Sequence, residues 1–180
     1  MRNFLLTVLF TSAMITFSNA EAEDFSKWQP LDNKVQDELK WNNELLARGL
    51  SDYSLYALMA LPIIDVLDES RAGQKVGAIA LAHGINAGIT HVVKVNSARM
   101  RPSGDNPMSF WSGHASSAFV GAAVTCHFQS SEKCAVSLAA ASATGYLRIA
   151  GNKHWFSDVI AGAAAGFLIG SATPFVVMSW

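Results

Sequence analysis

Apolar and polar positions divide the chain into segments of helical length, separated by short polar stretches. Apolar spacing on one face predicts a first helix over Asp32–Leu46, and Gly49–Asp52 is expected to separate it from the next. Further helices are predicted over Tyr53–Leu67 (interrupted by Pro62), Lys75–Val95, His114–Phe128, Ala135–Ile149, and Ser157 to about Ile169 or beyond, where Pro174 bends or ends the last one. No segment alternates as a strand does, so the sequence predicts an all-α bundle of about five or six helices.

The N-terminus has the three parts of a secretory signal. A short basic start precedes an apolar run over Phe4–Phe17, and the small residues Ser18-Asn19-Ala20 follow. We therefore predict that residues 1–20 are a signal peptide cleaved after Ala20, with Ala22 as the second choice. A retained membrane anchor is the alternative, although the run is short for a span. Residues 21–180 then form a single domain.

Composition narrows the classes of function. The 13 basic and 14 acidic residues nearly cancel, which argues against nucleic acid as a partner because no basic excess is present. Hydrophobic residues make up 51% of the chain, which is high for a soluble protein but low for a chain made of membrane spans. The C-terminal helix is the most apolar and is the best candidate for membrane contact. A soluble or peripherally attached bundle is preferred over an embedded one.

Two cysteines, Cys126 and Cys134, flank a polar loop between two predicted helices. In an oxidising compartment they are expected to form a disulfide, with two unpaired thiols as the alternative. They lie at the far end of the helix that begins at His114. A disulfide there argues against a span, because a span would place the cysteines in the cytosol if the other end faced the periplasm. A zinc site is not expected, since the chain has no CxxC pair.

Three short polar clusters interrupt the apolar sequence between Lys94 and Asp158. Together they supply three cations, two histidines and one carboxylate: Lys94 and Arg101 with Pro102, then Ser112, Gly113 and His114, then Arg148, His154 and Asp158. Backbone N–H groups at a helix start bind anions, and glycine allows a close approach. The clusters therefore predict a pocket for a phosphate-like oxyanion.

The histidines suggest catalysis in that pocket. Asp158 follows His154 by four residues, so on a helix its carboxylate can accept the Nδ1 proton and leave Nε2 as a nucleophile. His83 and His91, by contrast, have no partner at helical spacing and are interpreted as core or rim histidines. Each cluster alone has a simpler reading: a helix cap at Ser112, a surface His–Asp pair, or a solvated basic loop. In that loop Arg99 is equally a candidate for the exposed arginine.

The order Lys-x6-Arg-Pro, Ser-Gly-His and Arg-x5-His-x3-Asp resembles the signature of the type 2 phosphatidic acid phosphatase (PAP2) superfamily. This superfamily includes bacterial acid phosphatases and vanadium haloperoxidases. The resemblance covers Lys94 to Asp158. It departs at Trp111, where the family usually has proline, and at Leu147, where it usually has serine. Trp111 is expected to reshape the mouth of the pocket.

The resemblance implies a helical PAP2-like fold and a phosphatase that needs no metal or other cofactor. His154 would attack phosphorus, Asp158 would orient it, and His114 would serve as acid and then base. The phosphate would be held by the remaining site residues: Lys94, Arg101, Ser112, Gly113 and Arg148. Vanadate is expected to inhibit.

The expected substrate is a phosphate ester, either soluble or a lipid phosphate or pyrophosphate reached at a membrane surface. The expected location is the bacterial periplasm. Two other functions stay open at this point. One is vanadate-dependent halide oxidation on the same residues, and the other is a non-catalytic helical bundle that binds phosphate or lipid.

Overall fold

A computed structural model describes residues 25–179, so the predicted signal peptide lies outside the described residues. Within that range the chain forms one 3-10 turn, Phe25–Lys27, and six α-helices. The helices are α1 (Gln29–Leu39), α2 (Glu44–Val66), α3 (Ala72–Ser97), α4 (Gly113–Phe128), α5 (Ser131–Ala150) and α6 (Phe156–Val177). The predicted all-α bundle is confirmed.

The predicted boundaries are wrong in the first third of the chain. The chain leaves helix at Lys40, and α2 begins after Asn43, whose side chain caps it by accepting from Leu46 N at 3.0 Å. Gly49–Asp52 therefore lies inside α2 instead of separating two helices. Pro62 is also inside α2 and is buried there. Tertiary packing of one α2 face against the bundle outweighs these local breakers.

Helix α4 is the centre of the bundle, and α6 packs closely along it. Three glycines on α6, spaced four residues apart, face successive carbonyl groups of α4. A Cβ added at Gly162, Gly166 or Gly170 would lie 2.0–2.7 Å from a carbonyl oxygen of α4. Because these contacts leave no room for a side chain, the glycines set the distance between the two helices.

From α2 onward consecutive helices alternate in direction, so one end of the bundle collects the three polar clusters. We call this the site end. It contains the end of α3, the start of α4, the end of α5 and the start of α6. The opposite end, which we call the disulfide end, holds the turn between α4 and α5, where Cys126 and Cys134 are joined by a disulfide.

Candidate active site

His154 lies just before α6, and its side chain is 2% exposed. Its Nδ1 is 2.8 Å from the carbonyl oxygen of Ser109. Because a carbonyl oxygen can only accept, Nδ1 carries the proton and Nε2 carries the lone pair. The sequence predicted Asp158 as the acceptor, but its Oδ2 is 3.8 Å from Nδ1, beyond hydrogen-bond distance. Burial lowers the pKa of His154 to about 3, and the charges of Lys94 and Arg148 act in the same direction.

Asp158 is fully buried in the first turn of α6 and accepts from three donors. Its Oδ1 accepts from Arg99 Nη1 at 2.5 Å. Its Oδ2 accepts from Ser109 Oγ at 2.5 Å and from Trp155 N at 3.0 Å. Burial opposes ionisation of this carboxyl group, but the neighbouring donors outweigh burial and hold the pKa of Asp158 below its usual value. The carboxylate is therefore ionised and fixed beside the ring of His154.

His114 lies in the first turn of α4, and its ring contacts Asp52 of α2. Its Nε2 is 2.7 Å from Asp52 Oδ1, and Arg148 Nη1 is 3.4 Å from the same oxygen. Burial and the charge of Arg148 lower the pKa of His114 to about 4, although Asp52 opposes this shift. A bound phosphate dianion acts in the opposite direction, because a nearby negative charge favours the imidazolium form.

Three cations surround these histidines. Lys94 Nζ donates to Met108 O at 2.7 Å, and burial, with help from Arg101 and Arg148, lowers its pKa to about 8. Burial lowers the pKa of Arg148 to about 10 and also lowers that of Arg101. The Nε atoms of both arginines are buried without a hydrogen-bond partner among the described residues. Unpaired buried donors on two cations are suited to the oxygens of an anion.

Ser112 and Gly113 form the start of α4 beside this group. Ser112 is fully buried, and its Oγ caps the helix by accepting from Ala115 N at 3.3 Å. The helix-cap reading of Ser112 is thus confirmed, and the hydroxyl proton is not used by that bond. A Cβ at Gly113 would lie 3.8 Å from Lys94 Cε, so the glycine backbone lies against the lysine chain. The start of α4 therefore lies next to the side chain of Lys94.

The structure therefore brings all eight predicted site residues to the site end. The charges of Arg101 and Arg148 both act on His114, and those of Lys94 and Arg148 act on His154. Trp111 is different from expectation. It is 4% exposed, and its Nε1 donates to Thr90 Oγ1 at 2.9 Å, so it packs inside the bundle instead of shaping the pocket mouth.

Four residues at the site were missed by sequence reasoning: Asp32, Asp52, Arg99 and Ser109. Asp52 was placed in the segment expected to separate two helices. Arg99, the candidate exposed arginine, is 6% exposed and pairs with two carboxylates. The sequence contains a signal for Arg99 alone, namely that it is a second arginine close to Arg101. The other three residues have partners that are distant along the chain, so no local pattern indicates their role.

Comparison with known proteins agrees with the arrangement of the three clusters. The model of the PAP2 superfamily matches residues 75–179, more than half of the chain and all three clusters. The chain belongs to the PAP2 superfamily. The predicted resemblance is confirmed, and the site described above lies largely within the matched span, with Asp32 and Asp52 outside it.

One protein of similar sequence and one solved structure of similar fold can be compared with this PAP2 protein. The lipid A 1-phosphatase of Porphyromonas gingivalis is 37% identical over 102 residues, which is 54% of this chain and 23% of that protein. This chain therefore aligns with less than a quarter of that relative. The crystal structure of Aquifex aeolicus LpxE has a TM-score of 0.64 at 23% identity, covering 84% of this chain and 94% of that chain. At that identity the likeness shows the fold.

Proposed function

We propose that this protein is a metal-independent phosphatase that hydrolyses phosphate monoesters through a phosphohistidine on His154. The proposal depends on one observation: His154 donates its Nδ1 proton to the carbonyl oxygen of Ser109 at 2.8 Å. Nε2 is then the nucleophilic atom, and the lowered pKa of the ring keeps its lone pair available at neutral pH.

The first step transfers the phosphoryl group. The lone pair of Nε2 forms a bond to phosphorus as the bond from phosphorus to the ester oxygen breaks. His114, protonated under the influence of the bound dianion, gives its proton to the leaving oxygen. Lys94, Arg101 and Arg148 stabilise the charge on the other oxygens, which is the contribution that Mg²⁺ makes in other phosphoryl transfer sites.

The second step releases phosphate. Neutral His114 accepts a proton from water, and the water oxygen attacks phosphorus as the bond to Nε2 breaks. His114 thus returns to its protonated form. Its partner Asp52 favours that form, because its carboxylate lies 2.7 Å from the ring. The two histidines therefore have different roles that follow from different partners: a carbonyl group for His154 and a carboxylate for His114.

The proposed substrate class is a lipid phosphate at a membrane surface. The Porphyromonas gingivalis relative is named for action on a lipid phosphate, which supports this class. Large apolar side chains are also exposed on several helices, among them α2 and α6. On α2 they include Tyr53, Tyr56, Leu61 and Ile64, and on α6 they are Ile160, Phe167, Leu168, Phe175 and Val176. Exposed apolar surface of this kind is expected where a protein contacts a membrane or another protein, and a lipid substrate favours the membrane.

We further propose that the bundle lies against the periplasmic face of a membrane. Helices α3 and α6 are long and apolar enough to cross a bilayer, and their most apolar windows are 28% and 39% buried. However, α4 has 16 residues, about 24 Å at helical rise, against about 30 Å of hydrocarbon. The disulfide favours an oxidising compartment for its own end, and an α4 too short to span keeps the site end on the same side.

A substrate panel on the purified protein tests the function. We expect release of phosphate from p-nitrophenyl phosphate and faster release, per enzyme, from a lipid phosphate monoester in detergent micelles. EDTA is expected to leave both rates unchanged, and vanadate is expected to inhibit both. Loss of activity in EDTA that Mg²⁺ or Zn²⁺ restores contradicts the metal-independent mechanism. A rate on the lipid below that on the soluble ester contradicts the substrate class.

A further inference from the structure

A buried arginine bridges two carboxylates beside His154: Asp158, whose Oδ2 is the oxygen nearest His154 Nδ1, and Asp32. Arg99 Nη1 lies 2.5 Å from Asp158 Oδ1, and Nη2 lies 2.6 Å from Asp32 Oδ2. The side chain of Arg99 is 5% exposed, and both aspartates are fully buried. One guanidinium group between two buried carboxylates is a costly arrangement, because each charge loses hydration and depends on the other two.

Among the residues that the structure describes, Asp32 accepts hydrogen bonds from two residues only, Arg99 and Ser157 at the start of α6. Its Oδ1 accepts from Ser157 N at 2.8 Å, and its Oδ2 accepts from Ser157 Oγ at 2.7 Å. Arg99 Nη1 also donates to Ser157 Oγ at 2.8 Å. Asp32 thus fixes the residue that directly precedes Asp158. It comes from α1, which lies outside the span matched by the PAP2 model.

Arg99 reaches His154 by two separate paths. Its side chain holds Asp158, whose other oxygen accepts from Ser109 Oγ at 2.5 Å. Its backbone carbonyl accepts from Ser109 N at 2.9 Å. The carbonyl of Ser109 is in turn the acceptor for His154 Nδ1. Arg99 therefore holds both the residue whose carbonyl accepts from the ring of His154 and the carboxylate that lies beside that ring.

We infer that Arg99 and Asp32 are positioning residues that set the orientation of the nucleophilic ring, so that α1 is part of the catalytic unit. The inference rests on the proposed function. Neither residue is expected to contact a bound phosphate, because both are buried and paired within the Asp32–Arg99–Asp158 group. Their loss should therefore lower kcat while phosphate binding by Lys94, Arg101 and Arg148 is retained. A misplacement of about 1 Å in a reacting group can lower a rate by about 100-fold.

The test uses the variants Asp32→Asn and Arg99→Lys. Asp32→Asn keeps the shape of the side chain but removes its charge. Arg99→Lys keeps the charge but removes the guanidinium group, which can donate to two carboxylates at once. The matched control is Asp65→Asn at the disulfide end, which removes an exposed pair with Lys133 at 2.8 Å. For each protein, kcat on p-nitrophenyl phosphate is measured. Binding of inorganic phosphate is measured by calorimetry, and its stoichiometry counts the folded sites.

We expect a drop in kcat per phosphate-binding site of about 10-fold or more in both variants, with an unchanged Kd for phosphate and no change in the control. The double variant should lose less than the sum of the two single losses, because Asp32 and Arg99 belong to one hydrogen-bond network around Asp158. Wild-type kcat per site in both single variants overturns the inference. So does a loss of rate that matches the loss of binding sites, which indicates a structural role.

The wild-type protein separates this inference from the proposed function. If the wild-type protein binds phosphate but releases none from any ester, the proposed function fails and the positioning role fails with it. If the wild-type protein is active and the variants are equally active per site, only the positioning role fails.

Discussion

The two ends of the bundle differ in how their charged side chains are buried and paired. At the disulfide end charged side chains form partly exposed pairs, such as Lys133 with Asp65 at 2.8 Å and Lys75 with Glu69. At the site end Arg99, Arg148 and Asp158 are buried, and two arginine Nε atoms have no partner among the described residues. Buried, unpaired donors destabilise a fold, so their presence calls for a functional explanation. The site end therefore keeps donors for a ligand, while the disulfide end maintains the fold.

The largest expected effect comes from replacing one histidine at each end. His154→Ala removes the nucleophile and should lower kcat by about 1000-fold or more, since the covalent path is lost. His127→Ala, at the exposed end of α4, should leave kcat unchanged. Steady-state kinetics and circular dichroism of both proteins provide the check. Turnover retained by a folded His154→Ala protein assigns the nucleophile elsewhere.

Removing the disulfide should lower the stability of the fold and leave kcat unchanged. The double variant Cys126→Ser with Cys134→Ser opens a short loop and should lower the free energy of unfolding by about 2–3 kcal/mol. Turnover at 25 °C should be unchanged, because the site lies at the other end of α4. Denaturant titration and kcat are compared with those of the wild-type protein. A large loss of kcat in a fully folded variant contradicts the separation of the two ends.

The packing that connects the ends is tested at Gly166. A Cβ there would lie 2.0 Å from the carbonyl oxygen of Ser116, so Gly166→Ala should push α6 away from α4. We expect a loss of stability of about 1–3 kcal/mol. Gly88→Ala, on α3, where a Cβ meets nothing within 4 Å, is the matched control and should not destabilise. Equal melting temperatures for the two variants would show that the α4–α6 contact is looser than the structure indicates.

The smallest effect concerns the pH profile. Asp52 raises the pKa of His114 against burial, so Asp52→Asn should lower that pKa further. Activity that needs protonated His114 is lost as pH rises through this pKa. The alkaline limb of kcat/KM should therefore move to lower pH, with less than about a tenfold change in the maximum. An unmoved or upward-shifted limb indicates that His114 is not the acid.

The sequence predicts well those features that depend on neighbouring residues along the chain. Helices α3 to α6 are apolar runs bounded by polar residues, and their predicted limits differ from the structure by only a few residues at most ends. The eight site residues were identified because they lie in three short clusters, whose order and spacing resemble the PAP2 signature. These features are local, or depend on a spacing that can be recognised without coordinates.

The errors all involve partners that are distant along the chain. Gly49–Asp52 is a poor helix former by local propensity, yet it lies inside α2, where Ser51 and Asp52 contact Arg148 across 97 and 96 residues. Arg99 is buried because Asp32 is 67 residues away in sequence and Asp158 is 59 residues away. The carbonyl of Ser109 replaces Asp158 as the acceptor for His154, and no side-chain pattern reports a backbone acceptor.

Trapping the covalent intermediate tests the central claim most directly. The His114→Ala variant lacks the base for the second step, while p-nitrophenyl phosphate has a leaving group that needs no acid. Phosphoenzyme should therefore accumulate. After alkaline quenching, which preserves a phosphorus–nitrogen bond, peptide mass spectrometry should find the phosphoryl group on His154. A phosphoryl group on another residue, or none while product is still formed, would contradict the account.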